Sequence, residues 1–200
     1  MAASRPAISF VMKKKTAATA AKSTYIALLR GINLGGHKIV KMEQLRKALA
    51  ELGFEDVKTY IQSGNIVFRA PAPAKNLAKN IEEKVQRRFG FPVAVQVKTA
   101  EEVGEVIRNN SLAKEKGLDP AKLHVTFLSC APEKNALKML DAIAAAPDQF
   151  RCSGQAVYLH CPNGYHETKV NNNVLEKMLK VGATTRNWKT VNQLYRMTEG

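Results

Sequence analysis

Arg30, Asn33, His37, Lys38 and Lys41 crowd into one short stretch of the chain, and Gln62, Ser63 and Asn65 into another. Each carries a hydrogen-bond donor. Gly31, Gly35 and Gly36 run through the first stretch, where glycine lets the backbone turn and expose its N–H groups. A helix starting just after it adds partial positive charge, worth about 0.3–1 kcal/mol toward an anion. Cationic, amide and backbone donors in this combination describe a site for a phosphate or a carboxylate. Neither glycine-rich nucleotide fingerprint is present, neither the Walker phosphate loop nor the dinucleotide-binding turn. The competing reading is that the glycines and asparagines only satisfy turn geometry.

A second polar cluster is Arg186-Asn187-Trp188-Lys189, which holds the only tryptophan of the chain. Arg186 and Asn187 could complete the anion site. Trp188 either anchors a helix to the core or stacks on a base. Lys169 stands in a loop and either reaches the anion or is solvated. His37, His124, His160 and His166 lack metal-ligand spacing. No nucleophile elbow and no acid–base carboxylate pair is evident, so catalytic residues and cofactors stay unnamed. The candidate ligand-binding set is therefore Arg30, Asn33, Gly35, Gly36, Gln62, Ser63, Asn65, Lys169, Arg186 and Asn187, with no metal.

The elements that must hold these residues follow from periodicity. Thr24 to Arg30 is an apolar run that reads as a buried strand. Met42, Leu45, Leu49 and Leu52 recur at helical spacing, and Gly53 stops the helix. Val57 to Ile61 and Ile66 to Phe68 are strands joined by a Ser63-Gly64 hairpin. Leu77, Ile81, Val85 and Phe89 mark a second helix, and Val93 to Val97 a last strand. This is the β-α-β-β-α-β, or ferredoxin-like, order. Thr99-Ala100-Glu101-Glu102 is a capping box that opens a connecting helix.

The pattern then repeats. Tyr60, Ser63, Gly64, Val67 and Phe68 match Phe150, Ser153, Gly154, Val157 and Tyr158 at a constant offset of 90. The opening strands, Tyr25 to Leu29 and His124 to Leu128, match at 99. The difference means that the first copy carries an insertion before its hairpin, and that insertion is the glycine-containing loop. Helices from Asn172 to Lys180 and around Trp188 close the chain, and the final strand of the second copy is missing. The expected fold is α+β: two ferredoxin-like subdomains related by an internal repeat, the second incomplete. The expected organisation is a basic tail over 1–23, the first subdomain over 24–98, a connecting helix and linker over 99–122, and the second subdomain over 123–200. In the first unit, strands one and two end at the same edge. The loop, the Gln62-Ser63-Gly64-Asn65 hairpin and the Gly90-Phe91-Pro92 turn therefore converge.

The chain has 200 residues and a formal charge of +14. That charge suits a phosphate-rich partner. It is unevenly spread, because eight basic residues precede the first acid, Glu43. Residues 1–22 hold Ala, Thr, Ser and Lys without acids and read as disordered, with lysines able to touch phosphates non-specifically. Met12 could be the true start. The three cysteines, Cys130, Cys152 and Cys161, suit a reduced cytoplasmic compartment. No apolar run is long enough to span a membrane.

Three stretches carry a resemblance. They are Tyr25 to Gly36, Tyr60-Ile61-Gln62-Ser63-Gly64-Asn65-Ile66-Val67-Phe68, and Ala183-Thr184-Thr185-Arg186-Asn187-Trp188-Lys189-Thr190-Val191. Together they resemble a bacterial family known only as domain of unknown function 1697, over Thr24 to the C-terminus. The resemblance implies two related α+β subdomains and brings no catalytic residues with it. Tyr165-His166-Glu167-Thr168-Lys169 stands where relatives tend to have Gly-Arg-Ser-Lys, so only Lys169 is shared there.

The leading expectation is a cytoplasmic binding module for a phosphate-bearing or other anionic small ligand, a nucleotide included. One alternative is an RNA-binding protein that uses its basic surface and tail, with Tyr25 and Phe68 on an open sheet face. Another is an enzyme acting on a small phosphorylated substrate.

Overall fold

The computed structural model describes residues 22–71, 74–141, 143 and 146–199. The expected basic tail over 1–23 thus lies almost wholly outside the described residues. The fold is mixed α+β, with two four-stranded antiparallel sheets and six helices among the described residues.

The first sheet holds β1 (Ser23–Leu29), β2 (Glu55–Tyr60), β3 (Asn65–Ala70) and β4 (Val95–Thr99), in the order β2-β3-β1-β4. Helix α1 (Met42–Ala50) precedes β2 and α2 (Ala74–Phe89) precedes β4. Helix α3 (Ala100–Arg108) leads to the second sheet, which holds β5 (Leu123–Leu128), β6 (Gln149–Ser153), β7 (Ala156–His160) and β8 (Ala183–Asn187). Its order is β6-β7-β5-β8, with α4 (Lys134–Asp141), α5 (Asn172–Leu179) and α6 (Trp188–Arg196) around it.

The eighth strand corrects the expectation of an incomplete second copy. Ala183 to Asn187 pairs antiparallel with β5, Val125 opposite Arg186 and Phe127 opposite Thr184. Polar threonines and an arginine hid it. The β-branched threonines favour the extended backbone, but none of these side chains gives the apolar signature of a core strand.

The central strand β1 is apolar and buried from Tyr25 to Leu29 because both of its faces are covered there. Tyr25, Ala27 and Leu29 enter one core with Leu45, Leu49, Leu77 and Ile81 of α1 and α2. Ile26 and Leu28 enter another, shared with Val125, Phe127 and Tyr158 of the second sheet and Val191 and Leu194 of α6. Val157 and Leu159, on the far face of that sheet, pack with Leu140 and Leu175. The two halves therefore share an apolar seam. This burial overturns the open sheet face proposed for stacking. Tyr25 and Phe68 are 7% and 0% exposed and face each other at 5.8 Å inside the first core. Trp188 is half-buried against the shared seam.

Helix α3 starts where its capping box places it. Thr99 Oγ1 accepts from Glu102 N at 3.1 Å, and Glu102 Oε2 accepts from Thr99 N at 2.7 Å. Thr99→Ala is expected to remove about 1 kcal/mol of stability, measured by urea denaturation.

Candidate functional site

The site begins where β1 ends. Leu29 N donates to Gly64 O at 2.8 Å and Arg30 N to Ala94 O at 2.9 Å, which seats the strand end between the hairpin and the turn before β4. The connection from Leu29 to α1 is long, whereas Leu128 reaches α4 in a few residues. Within the long connection, Gly31, Asn33, Gly35, Gly36 and Lys38 all have positive φ. The Asn33 side chain clamps it shut: Nδ2 donates to Val40 O at 3.0 Å and Gln62 O at 2.7 Å, and Oδ1 accepts from Val40 N at 2.8 Å. Lys38 Nζ ties the loop to Pro92 O at 3.0 Å. Loop, hairpin and turn therefore meet at one rim.

Facing this rim are the loop around Tyr165, the start of α5, and β8. Between them lies a cleft of about 650 Å³. Arg30, Ser63, Arg186 and Asn187 line it, with Tyr165, Asn171, Asn172, Thr184 and Thr185 opposite and Leu34 and Ile61 at the mouth. Leu34 and Ile61 are 63% and 53% exposed. Ile61 has a φ of 47°, a left-handed conformation that is an outlier for a β-branched side chain.

Arg186 is the electrostatic centre. It is 9% exposed, and all five of its N–H groups end on uncharged oxygens. Nε donates to Asn65 Oδ1, Nη1 to Thr184 Oγ1 (2.9 Å) and Thr185 O (2.8 Å), and Nη2 to Leu29 O (2.7 Å) and Ser63 O (3.2 Å). No carboxylate neutralises it among the described residues. Burial brings its pKa down to about 10, so it keeps its charge at neutral pH. Arg30 sits higher in the cleft, with Nη2 2.9 Å from Asn173 Oδ1 and 2.8 Å from Glu176 Oε2. Its Nε is buried without a partner. A hydroxyl chain lines the second wall: Tyr165 Oη lies 2.9 Å from Thr185 Oγ1, which donates to Asn172 Oδ1 at 2.7 Å and lies 2.6 Å from Thr126 Oγ1.

The ten residues singled out from sequence thus separate. Arg30, Ser63, Arg186 and Asn187 line the cleft. Asn65 lies beneath it, fully buried, with Nδ2 donating to Tyr60 O and Ser63 Oγ, so its polar atoms are engaged internally. Asn33 is engaged likewise, as a loop clamp and not as a free donor. Gly35 and Gly36 shape the exposed loop, and Gln62 contributes its carbonyl to the Asn33 clamp. Lys169 is exposed and stands outside the cleft lining. Asn187 caps α6 by accepting from Lys189 N at 2.9 Å.

Sequence reasoning missed Tyr165, Asn172, Thr184 and Thr185. The run Asn171-Asn172-Asn173 held a usable signal, because asparagine is a strong N-cap and Asn171 Oδ1 does accept from the N–H groups of Asn173 and Val174. Among the described residues no three His, Cys, Asp or Glu side chains gather in a way that could hold a metal ion. No helix among them is long and apolar enough to cross a membrane.

A second residue sits in the position of Arg186. Lys98 is fourth in β4 as Arg186 is fourth in β8, and each strand ends on the cap of the following helix, Thr99 or Asn187. Arg186 reaches from the second half to the end of β1 and to the residue after the hairpin glycine. Lys98 does the reverse. Its Nζ donates to Gln155 Oε1 at 2.8 Å and Leu128 O at 3.5 Å. The halves therefore exchange cations across the seam.

Comparison with known proteins is consistent with this architecture. The sequence model of a family described as "Protein of unknown function (DUF1697)" matches residues 23–158. No curated protein matches. Among solved structures, a conserved bacterial protein from Streptococcus pneumoniae is similar in fold, with a TM-score of 0.69 at 24% identity over 89% of this chain and 99% of that one.

Proposed function

We propose that this chain, which belongs to the DUF1697 family, is a binding module for a small anionic molecule, phosphate-bearing or carboxylate, held in the cleft between its halves. The observation that carries the reading is Arg186, a buried guanidinium that lines the cleft and is surrounded by neutral acceptors. A buried charge without a counterion is unfavourable unless something nearby balances it. Charge felt through low-dielectric walls is strengthened, so an anion entering the cleft gains more than it would at an open surface. Arg30 and the backbone at the start of α5 add to that field, and Glu176 offsets part of it.

Two finer statements belong with this reading. The matching strand orders and the reciprocal Arg186 and Lys98 ties support two ferredoxin-like units derived from one repeat, both complete. Three cysteines with no disulfide among them support a cytoplasmic setting.

Titration calorimetry with inorganic phosphate, nucleotides and sugar phosphates tests the site. Arg30 is about one-third exposed, so Arg30→Ala should leave the fold intact while weakening the best anion about tenfold, or 1.4 kcal/mol. Binding by none of these anions, or binding untouched by Arg30→Ala, would remove the proposal.

A further inference from the structure

The exchange of cations gives the molecule a second hollow. Where Arg186, Ser63 and Thr190 line the large cleft, Lys98, Ser153 and Glu102 line a smaller hollow of about 230 Å³. The two ends differ in one respect that matters chemically. Arg186 uses every donor it has. Lys98 is 9% exposed, has no carboxylate within ion-pair distance among the described residues, and meets only Gln155 Oε1 and Leu128 O. Two acceptors match the two N–H groups of a neutral amine and leave its lone pair unused.

We propose that Lys98 is a nucleophilic amine, and that this cavity takes a small uncharged aldehyde or ketone and holds it as an imine. The volume is below the roughly 300–1,000 Å³ of pockets for drug-sized ligands, which limits the guest to a few heavy atoms. Glu102 and Glu105 of α3 also line the cavity and disfavour an anion. Burial lowers the Lys98 pKa, opposed by Glu102 and by Cys130 after β5, and a desolvated lysine is the usual precursor of a Schiff base. Tyr158, the other titratable neighbour, donates to Val106 O and is pushed up to about 12 by burial, so it stays neutral.

In the step itself the nitrogen lone pair attacks the carbonyl carbon. A C–N bond forms and the C=O π pair moves to oxygen. That oxygen collects both protons of the amine and leaves as water, and the nitrogen keeps a double bond to carbon. Glu102 and Glu105 are the wall groups available to carry the protons.

The test uses the full chain with acetaldehyde and sodium cyanoborohydride near neutral pH, followed by digestion and mass mapping. Lys98 is expected to gain its adduct several-fold faster than exposed lysines such as Lys47 and Lys79, because a lowered pKa leaves more of its amine neutral near pH 7. A bulky aromatic aldehyde should label the exposed lysines and leave Lys98 unmodified. Labelling of Lys98 no faster than the exposed lysines, labelling only after urea is added, or equal labelling by the bulky aldehyde would each overturn the proposal. The wild-type protein serves throughout, and the outcome does not depend on whether the Arg186 cleft binds anions.

Discussion

Arg186→Met is expected to lower the unfolding free energy by about 3–5 kcal/mol, since it strips partners from several buried acceptors at once. Asn65 Oδ1, Leu29 O and Ser63 O would face an apolar side chain, and each unsatisfied group carries a penalty of about 1–3 kcal/mol. Relief from burying the charge offsets part of this, which keeps the total below the sum. For a chain of this size the loss corresponds to a drop of roughly 6–20 °C in melting temperature. Arg186→Lys should fall between wild type and Met, because a lysine reaches two or three of the acceptors and cannot form the planar fork. Urea denaturation of the three proteins checks the order. Equal stability of Met and wild type would mean that the guanidinium is not what joins the halves.

The second large effect is expected at the hairpin glycine. Gly64 has a φ of 76°, and a Cβ placed on it would lie 2.6 Å from Leu29 Cβ and 3.0 Å from Ile32 Cδ1. Gly36 has a φ of 80° and open space around it. Substituting alanine at Gly36 should therefore cost only the left-handed backbone penalty, about 1–2 kcal/mol. At Gly64 the same penalty is joined by a clash with Leu29 Cβ, which its backbone holds in place, and the expected loss is about 3–5 kcal/mol. The difference between the two variants isolates the steric part. The hairpin also forms the cleft floor through Ser63, so Gly64→Ala should weaken anion binding by more than Gly36→Ala does. Parallel denaturation curves and titrations of the two variants measure both differences.

Most of the element order was legible because each core strand and helix repeats its apolar residues at its own period. Tyr25 to Leu29 read as a buried strand, and the structure covers it on both faces. The strand Ala183 to Asn187 did not, because its polar residues are threonines and an arginine whose partners, Tyr165, Asn172, Asn65 and the Leu29 carbonyl among them, are brought together only by the fold. The offset of 90 between hairpins was visible in the chain, yet the matching positions of Lys98 and Arg186 were not, since one is lysine, the other arginine, and the strand that holds Arg186 was unrecognised. Arg30, Ser63, Arg186 and Asn187 were singled out by donor type, and they line the cleft. Asn33 and Asn65 were singled out for the same reason and are engaged internally: an asparagine that ties a loop and one that meets a ligand look alike until the carbonyls around them are placed. Tyr165 and Thr185 went unnoticed because neutral hydroxyls carry no local signature.

The reciprocal arginine and lysine contacts have a consequence for how the molecule comes apart. Neither half holds the donor for its own buried carbonyl at the end of its first strand; each borrows that donor from its neighbour. A fragment ending near Tyr158 would include the lysine latch but lack β8 and its arginine, leaving Asn65 and the Leu29 carbonyl stranded against solvent. Heat should therefore melt both halves in a single event, with calorimetric and van't Hoff enthalpies in agreement, and cutting the chain between them should yield two pieces that recover structure only when mixed.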